Sequence, residues 1–191
     1  MKLSVKEISL VAMFAALTAV AAIVSRIFVI VLPFAQVPFS IVPFVVLLTG
    51  MVLGARLGAL SMVVYVAMGL IGVPVFEKPP FGGPAYVLQP TFGFLLGFIL
   101  GAYTTGKITE KANPGVLRYL MASLVGIAFI YLLGLPYLYG ILNFYLGKSV
   151  PVLTVIKIGF APFIGLDILK GVLASILSVA VLKRVNTAVR A

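Results

Sequence analysis

The sequence has no cysteine and no histidine. Disulfides, thiol nucleophiles, thiolate or imidazole metal sites and imidazole acid–base chemistry are therefore excluded. Acids are nearly as scarce: there are four Asp and Glu residues in all, and Asp167 is the only aspartate. Intramembrane aspartyl proteolysis needs two aspartates sharing a proton. Metal-dependent lipid enzymes gather several carboxylates around an ion. Enzymatic chemistry is poorly provided for, and no metal or cofactor is expected. Charged residues fill only 9% of the 191 positions, where an ordinary soluble domain has about a quarter.

What fills the chain instead is apolar. Hydrophobic residues reach 63%, more than so small a soluble domain can hide, so the bilayer must solvate much of the surface. The expectation is an all-α integral membrane protein with a single transmembrane domain over residues 1–191. The net charge of +10 does not point to nucleic acid, because the cations are sparse and fall between hydrophobic blocks. Lys2 and Lys6 precede an apolar run from Ile8 to Ser25. That run is long for a signal sequence and continues past Arg26, so it is expected to stay as a helix.

A spanning helix needs about 20 mainly apolar residues. Six are expected, at about 7–30, 41–53, 57–71, 91–105, 116–138 and 155–182. Between the first two, "LPFAQVPFSIVPF" carries Pro33, Pro38 and Pro43, which break helix and favour extended backbone. Such backbone at membrane depth must be buried in protein or line a cavity. "GARLG" at 54–58 is a tight turn, and residues 72–90 form a Pro- and Gly-rich loop with Glu77 and Lys78. With both termini inside, Lys2, Lys6, Arg56, Lys107, Lys111, Arg118, Lys183, Arg184 and Arg190 are cytoplasmic, and Lys78, Lys148 and Lys157 lie outside. That is a strong positive-inside bias. Arg26 falls within the first helix, with snorkelling to the outer surface as its simplest role. No internal repeat of the inverted-repeat carrier kind is evident. "GAYTTGKIT", from Gly101, has the spacing of a phosphate loop, but Ile108 stands where Ser or Thr must reach magnesium, and the segment ends a hydrophobic helix. Any ATP hydrolysis must come from another subunit.

"GFAPFIGLDILKGVLASILSVAVL", Gly159 to Leu182, reads as a spanning helix with Asp167 and Lys170 near its middle. Ionisable groups at membrane depth are costly and face a partner or a cavity. Three residues apart, these two share a helix face. They form either a structural ion pair or a ligand site in which the carboxylate accepts from N–H groups and the ammonium donates to a carbonyl or carboxylate. Residues 33–43, 72–90 and the start of the last helix would converge on the outer side, with Phe39, Phe76 and Tyr86 as apolar walls. In the first helix, Ala12, Ala16 and Ala19, and also Ala15, Ala19 and Ala22, recur at spacings of three and four. Such a smooth face suits close helix contact, within the bundle or with another membrane subunit.

Five motifs in order resemble the BioY family, the biotin-binding S-components of energy-coupling factor (ECF) transporters. "PFSIV" (38–42) is similar to the family's P-I-T-L-Q, "GLIGVPVF" (69–76) to G-L-x-G-x-P-V-F, and "QPTFGFLLGF" (89–98) to G-P-T-G-G-Y-L-x-G-F. "GLPYL" (134–138) is similar to G-x-P-W-L, and Gly159, Pro162, Phe163, Asp167 and Lys170 match the final Gly-x-x-Pro-Phe-x-x-x-Asp-x-x-Lys. The resemblance covers the chain from the first helix to the last. It implies a six-helix S-component in a prokaryotic plasma membrane that captures a vitamin from outside. The partners it implies are a transmembrane coupling subunit and two cytoplasmic ATPases, with toppling in the membrane to release substrate. It makes Asp167 and Lys170 the ligand-binding pair. Ser40, Phe76, Tyr86 and Gln89 complete the candidate binding set, and Ala12 and Ala16 or Ala15 and Ala19 supply the family's A-x-x-x-A docking surface. Val42 replaces a glutamine of the motif, Gln89 and Phe92 replace glycines, and Phe94 replaces a tyrosine. These departures reshape the pocket, so dethiobiotin and lipoate stand beside biotin as ligands. A self-sufficient carrier using Asp167 as a proton or sodium site is the alternative from another class.

Overall fold

The computed structural model describes residues 3–27, 29–32, 35–38, 40–111 and 113–184. Lys2, Pro33, Phe39 and Arg190, named above, lie outside the described residues. Helix α1 (Val5–Ser25) opens on a capping box. Ser4 Oγ accepts from the Glu7 amide at 3.3 Å, and the Glu7 carboxylate accepts from the Ser4 amide at 2.7 Å. This reciprocal cap starts the helix two residues earlier than its apolar pattern indicates. It also ends earlier, at Ser25 rather than near residue 30. Strands β1 (Val29–Leu32) and β2 (Ala35–Pro38) follow as an antiparallel hairpin, Val29 facing Pro38 and Leu32 facing Ala35. The expected extended backbone is thus paired with itself, a small addition to an otherwise helical fold. Ser25 Oγ accepts from the Ile41 amide at 2.8 Å and so ties the two ends of the hairpin region together.

The second and third expected helices form one segment, α2 (Val42–Leu70), broken at a single residue, Gly54 (φ 79°, ψ 179°). That conformation is open to glycine and almost nothing else. The chain folds back there. A Cβ on Gly58 would lie 3.0 Å from Gly50 Cα, although eight residues of straight helix would separate the two by about 12 Å. Val42, Val45 and Val46 from the first half share a core with Met62, Tyr65 and Val66 from the second. The turn predicted over 54–58 is therefore tighter than expected, and the amide it frees is capped from another helix. Glu110, just beyond α3 (Phe92–Thr109), accepts from the Ala55 amide at 3.2 Å and pairs with Lys107 at 3.2 Å. Its pKa is lowered: burial pushes it up, but the Ala55 amide and Lys107 outweigh that.

Helix α4 (Val116–Gly140) contains Pro136 and runs into a single π-helical turn at Ile141–Tyr145. The expected last helix, 155–182, is two elements, α5 (Val152–Gly159) and α6 (Ile164–Arg184). Pro162 lies in the turn between them, where its ring cannot continue α5. Asp167 therefore sits in the first turn of α6, not in the middle of a helix. There its negative charge is favoured by the helix dipole.

Among the described residues, five helices, α1, α2, α3, the α4 segment and α6, are long and apolar enough to cross a membrane. With α2 doubled back at Gly54, six segments run between the two ends of the bundle. Their outward faces carry Met13, Leu17, Val20, Leu132, Leu173 and Ile176, all exposed. Hydroxyls are turned inward instead. Thr18, Thr49, Ser61 and Ser175 are buried and donate to carbonyls four residues back at 2.6–2.9 Å. One end of the bundle collects the start of α1, the Gly54 break with exposed Arg56, and the end of α3, joined by the Glu110–Ala55 bond. The other end collects the loops and holds the cavity.

Candidate ligand-binding site

A cavity of about 280 Å³ lies among both ends of α2, the start of α3, α4 and the α5–α6 turn. That is near the lower bound of common small-molecule pockets, about 300 Å³. Phe94, Leu95, Phe98, Ile130, Leu138 and Phe163 give it an apolar body. Ser40, Tyr65, Glu77, Thr91, Tyr131, Asp167 and Lys170 supply the polar groups.

Asp167 and Lys170 are each only 7% exposed, and Lys170 Nζ lies 2.7 Å from Asp167 Oδ1. Tyr131 of α4 donates to Asp167 Oδ2 at 2.5 Å. The ring of Tyr131 is fixed edge-on between Phe94 and Phe160, at centroid distances of 5.9 and 4.9 Å. The pair is thus held by two helices and opens onto the cavity. A carboxylate has about four acceptor positions, so Asp167 retains capacity for a ligand beside Lys170 and Tyr131.

The loop after α2 forms another wall. Phe76 is completely buried, packed against Tyr65 (centroids 5.7 Å apart) and Tyr86 (4.3 Å). Tyr65 donates to Val75 O at 3.2 Å. Arg26, just past the end of α1, clamps the same loop. Its Nε and Nη2 donate to Phe76 O at 3.1 and 2.8 Å, and Nη2 also donates to Pro74 O at 2.5 Å. The guanidinium lies 4.3 Å from the centre of the Phe81 ring. Arg26 therefore holds a loop rather than snorkelling free. Replacing Arg26 with alanine should strip the acceptors of a charged donor, each such bond contributing about 1.5–3 kcal/mol. The expected result is a lower unfolding temperature and faster amide exchange over 73–81, measured by hydrogen-exchange mass spectrometry.

Next to Phe76, Glu77 lines the cavity. Burial raises its pKa, although the Ser40 and Ser25 hydroxyls, Lys170 and Lys78 all favour the charged form. Lys78 is pulled down by burial, and Glu77 opposes the shift. Burial likewise raises the Tyr86 phenol. Glu77 Oε1 and Thr91 Oγ1 are buried with no hydrogen-bond partner among the described residues.

Of the binding residues expected from sequence, Ser40, Tyr86, Asp167 and Lys170 line this cavity together. Phe76 stands behind Tyr65 and Tyr86 as support. Gln89 ends the short 3₁₀ turn Pro84–Leu88, its carbonyl accepting from the Phe92 amide at 3.0 Å, and it is not among the lining residues. The sequence does not single out Glu77, Tyr131, Tyr65 or Thr91. Glu77 reads there only as a loop charge, and Tyr131 carries no local sign of its tie to a residue 36 positions away. On α1, Ala15 and Ala19 are buried in the bundle, whereas Ala12 and Ala16 are exposed.

A bundle of membrane-crossing helices around a small, partly charged cavity, roofed by loops at one end, defines a membrane protein built to hold a small polar solute. The chain belongs to the BioY family, whose model matches residues 1–187. It is 37% identical over 176 residues to a probable biotin transporter BioY of Lysinibacillus sphaericus, covering 92% of this chain and 86% of that one. It is 36% identical over 152 residues to the biotin transporter BioY of Thermotoga maritima, covering 80% and 85%. The fold matches a crystal structure of the S-component for biotin from an ECF-type ABC transporter, with a TM-score of 0.78, 24% identity and coverage of 94% and 92%. Family and membrane-crossing helices are those of a multi-pass prokaryotic membrane protein.

Proposed function

We propose that this chain is the substrate-capture subunit of an ECF-type importer and that its ligand is biotin. The observation that carries this reading is the buried Asp167–Lys170 pair on the cavity wall, beside buried polar atoms that have no partner among the described residues. Asp167 accepts from a ureido N–H of biotin. Lys170 donates to the ureido oxygen or balances a carboxylate, and the aromatic body of the cavity covers the rings. Ser40 and Tyr86 contribute wall contacts, with Phe76 acting through the rings it supports. Catalysis is left to partners: a transmembrane coupling subunit and two cytoplasmic ATPases.

Orientation follows from charge. Lys6, Arg56, Lys107, Lys111, Arg118, Lys183 and Arg184 belong to the end away from the cavity, and the positive-inside tendency supports a cytoplasmic position for that end and both termini. The cavity then opens outward. The coupling subunit docks on the exposed Ala12–Ala16 strip of α1, where small side chains allow close helix approach.

The direct test is equilibrium binding of biotin to the purified protein in detergent, with dethiobiotin and lipoate as competitors. Tight binding of biotin over both is the expected result, and a folded protein that ignores biotin sinks the assignment. Docking is tested separately by Ala16→Trp. The bulky ring should reduce biotin uptake by cells that hold the partner subunits about tenfold or more. Biotin binding by the isolated chain should stay within about twofold. Equal loss of both would place Ala16 in the core of this bundle instead.

A further inference from the structure

Glu77 has the marks of a ligand contact that the Asp167–Lys170 pair does not account for. Glu77 lines the cavity, and its Oε1 is buried with no partner among the described residues. The ion pairs among those residues are Lys107–Glu110 and Lys170–Asp167, so Glu77 belongs to neither. A buried polar atom without a partner is costly, and native structures keep few of them. The position is also fixed. Arg26 holds the Phe76 carbonyl through two donors, and the Phe76 ring is locked between Tyr65 and Tyr86. Glu77 is therefore delivered to the cavity by a rigid loop rather than left there by a loose one.

Its surroundings define what it can read. Lys170, bonded to Asp167 at 2.7 Å on α6, lines the same cavity as Glu77 and Lys78 of the loop. The cavity thus offers two carboxyl acceptors and an ammonium donor, Asp167, Glu77 and Lys170. A cyclic urea presents the complement of this set, an N–H, a carbonyl and a second N–H. An ester, a thiolane or a simple carboxylate does not.

We propose that Glu77 is a specificity-determining residue of the cavity, accepting the second ureido N–H of the ligand while Asp167 accepts the first and Lys170 donates to the carbonyl between them. The proposal rests on the biotin reading above and deepens it. It makes the site selective for an unsubstituted cyclic urea. Ligands that share only the valerate tail, lipoate among them, forfeit all three contacts.

The test is equilibrium binding of biotin and of its two singly N-methylated ureido derivatives to the full chain in detergent. Wild type is compared with Glu77→Ala, Glu77→Gln and Asp167→Asn, each checked for folding by thermal unfolding without ligand. Wild type should bind each methylated derivative at least about tenfold more weakly than biotin. Glu77→Ala should lose about tenfold to a hundredfold for biotin. It should also stop discriminating against the methyl group at one nitrogen, while Asp167→Asn stops discriminating at the other. Glu77→Gln keeps shape and one carbonyl acceptor, so it should fall between wild type and Glu77→Ala. The ratio of two ligands within one variant cancels any general loosening of the loop. If Glu77→Ala does not fold, the ratio in Glu77→Gln decides. Discrimination at both nitrogens that persists in the Glu77 variants overturns the proposal. If binding still depends on Asp167, the biotin reading survives that result. A folded wild type with no affinity for biotin removes both.

Discussion

Replacing Lys170 with alanine should weaken biotin binding by about thirtyfold to a few thousandfold, because removing one member of a desolvated charge pair at a binding site costs about 2–5 kcal/mol. Lys170 and Asp167 are 7% exposed and 2.7 Å apart, so little solvent screens either charge. Without the ammonium, the carboxylate keeps Tyr131, at 2.5 Å, and loses its compensating charge. The same substitution should destabilise the unliganded protein, since breaking a buried pair leaves an uncompensated charge. Asp167→Asn is the milder change. It keeps the shape and one acceptor but strands the ammonium, and about a tenfold to hundredfold loss is expected. Titration calorimetry on both variants reads the affinity, and thermal unfolding without ligand reads the stability. Unchanged affinity with lowered stability would make the pair a structural strut. Biotin uptake driven by an ion gradient without ATPase partners, and abolished in Asp167→Asn, would instead favour the ion-coupled carrier.

The pair is legible in the sequence because two opposite charges three apart in an apolar helix must answer either each other or a ligand. Its setting is not. Pro162 signals a loosened helix start, yet the spacing of apolar residues runs on through it, so periodicity alone does not divide α5 from α6. The alanines of α1 show the same limit. Ala12–Ala16 and Ala15–Ala19 have identical spacing, and only the side on which α2 packs decides which strip is covered. Gln89 is the polar residue nearest a departure from the family motif, which makes it the natural candidate for a replacement contact. The structure brings Glu77 into the cavity instead, because Arg26 binds the carbonyl of the residue before it. Such a contact between positions 26 and 76 has no periodic signature. Composition and periodicity report helices and their faces, while a loop's reach into a cavity is set by long-range bonds.

Alanine at Gly54 or Gly106 should cost more than at any open glycine. At Gly54 (φ 79°, ψ 179°), a side chain is forced into a conformation that costs about 1–3 kcal/mol. Gly106 of α3 abuts that turn: an added Cβ would lie 2.4 Å from the Ala55 amide nitrogen and 2.5 Å from the Gly54 carbonyl carbon. The contact is backbone, so no side chain can move aside. Overpacking a tight site costs about 1–3 kcal/mol and sometimes more, and a valine at Gly106 should prevent the bundle from closing. Gly165→Ala is the control, because a Cβ there meets nothing within 4 Å. Unfolding temperature in detergent, with the monodisperse fraction by size-exclusion chromatography, should fall sharply for Gly54→Ala and Gly106→Ala and stay near wild type for Gly165→Ala. Three equal values would mean that α2 does not turn back at Gly54. The consequence reaches the cavity, because Pro43 and Tyr65 both line it and lie on opposite halves of α2. A straight helix would hold them about 33 Å apart. The hairpin at Gly54 brings them to one site, so a variant that opens the turn should lose biotin binding even with every residue on the cavity wall intact.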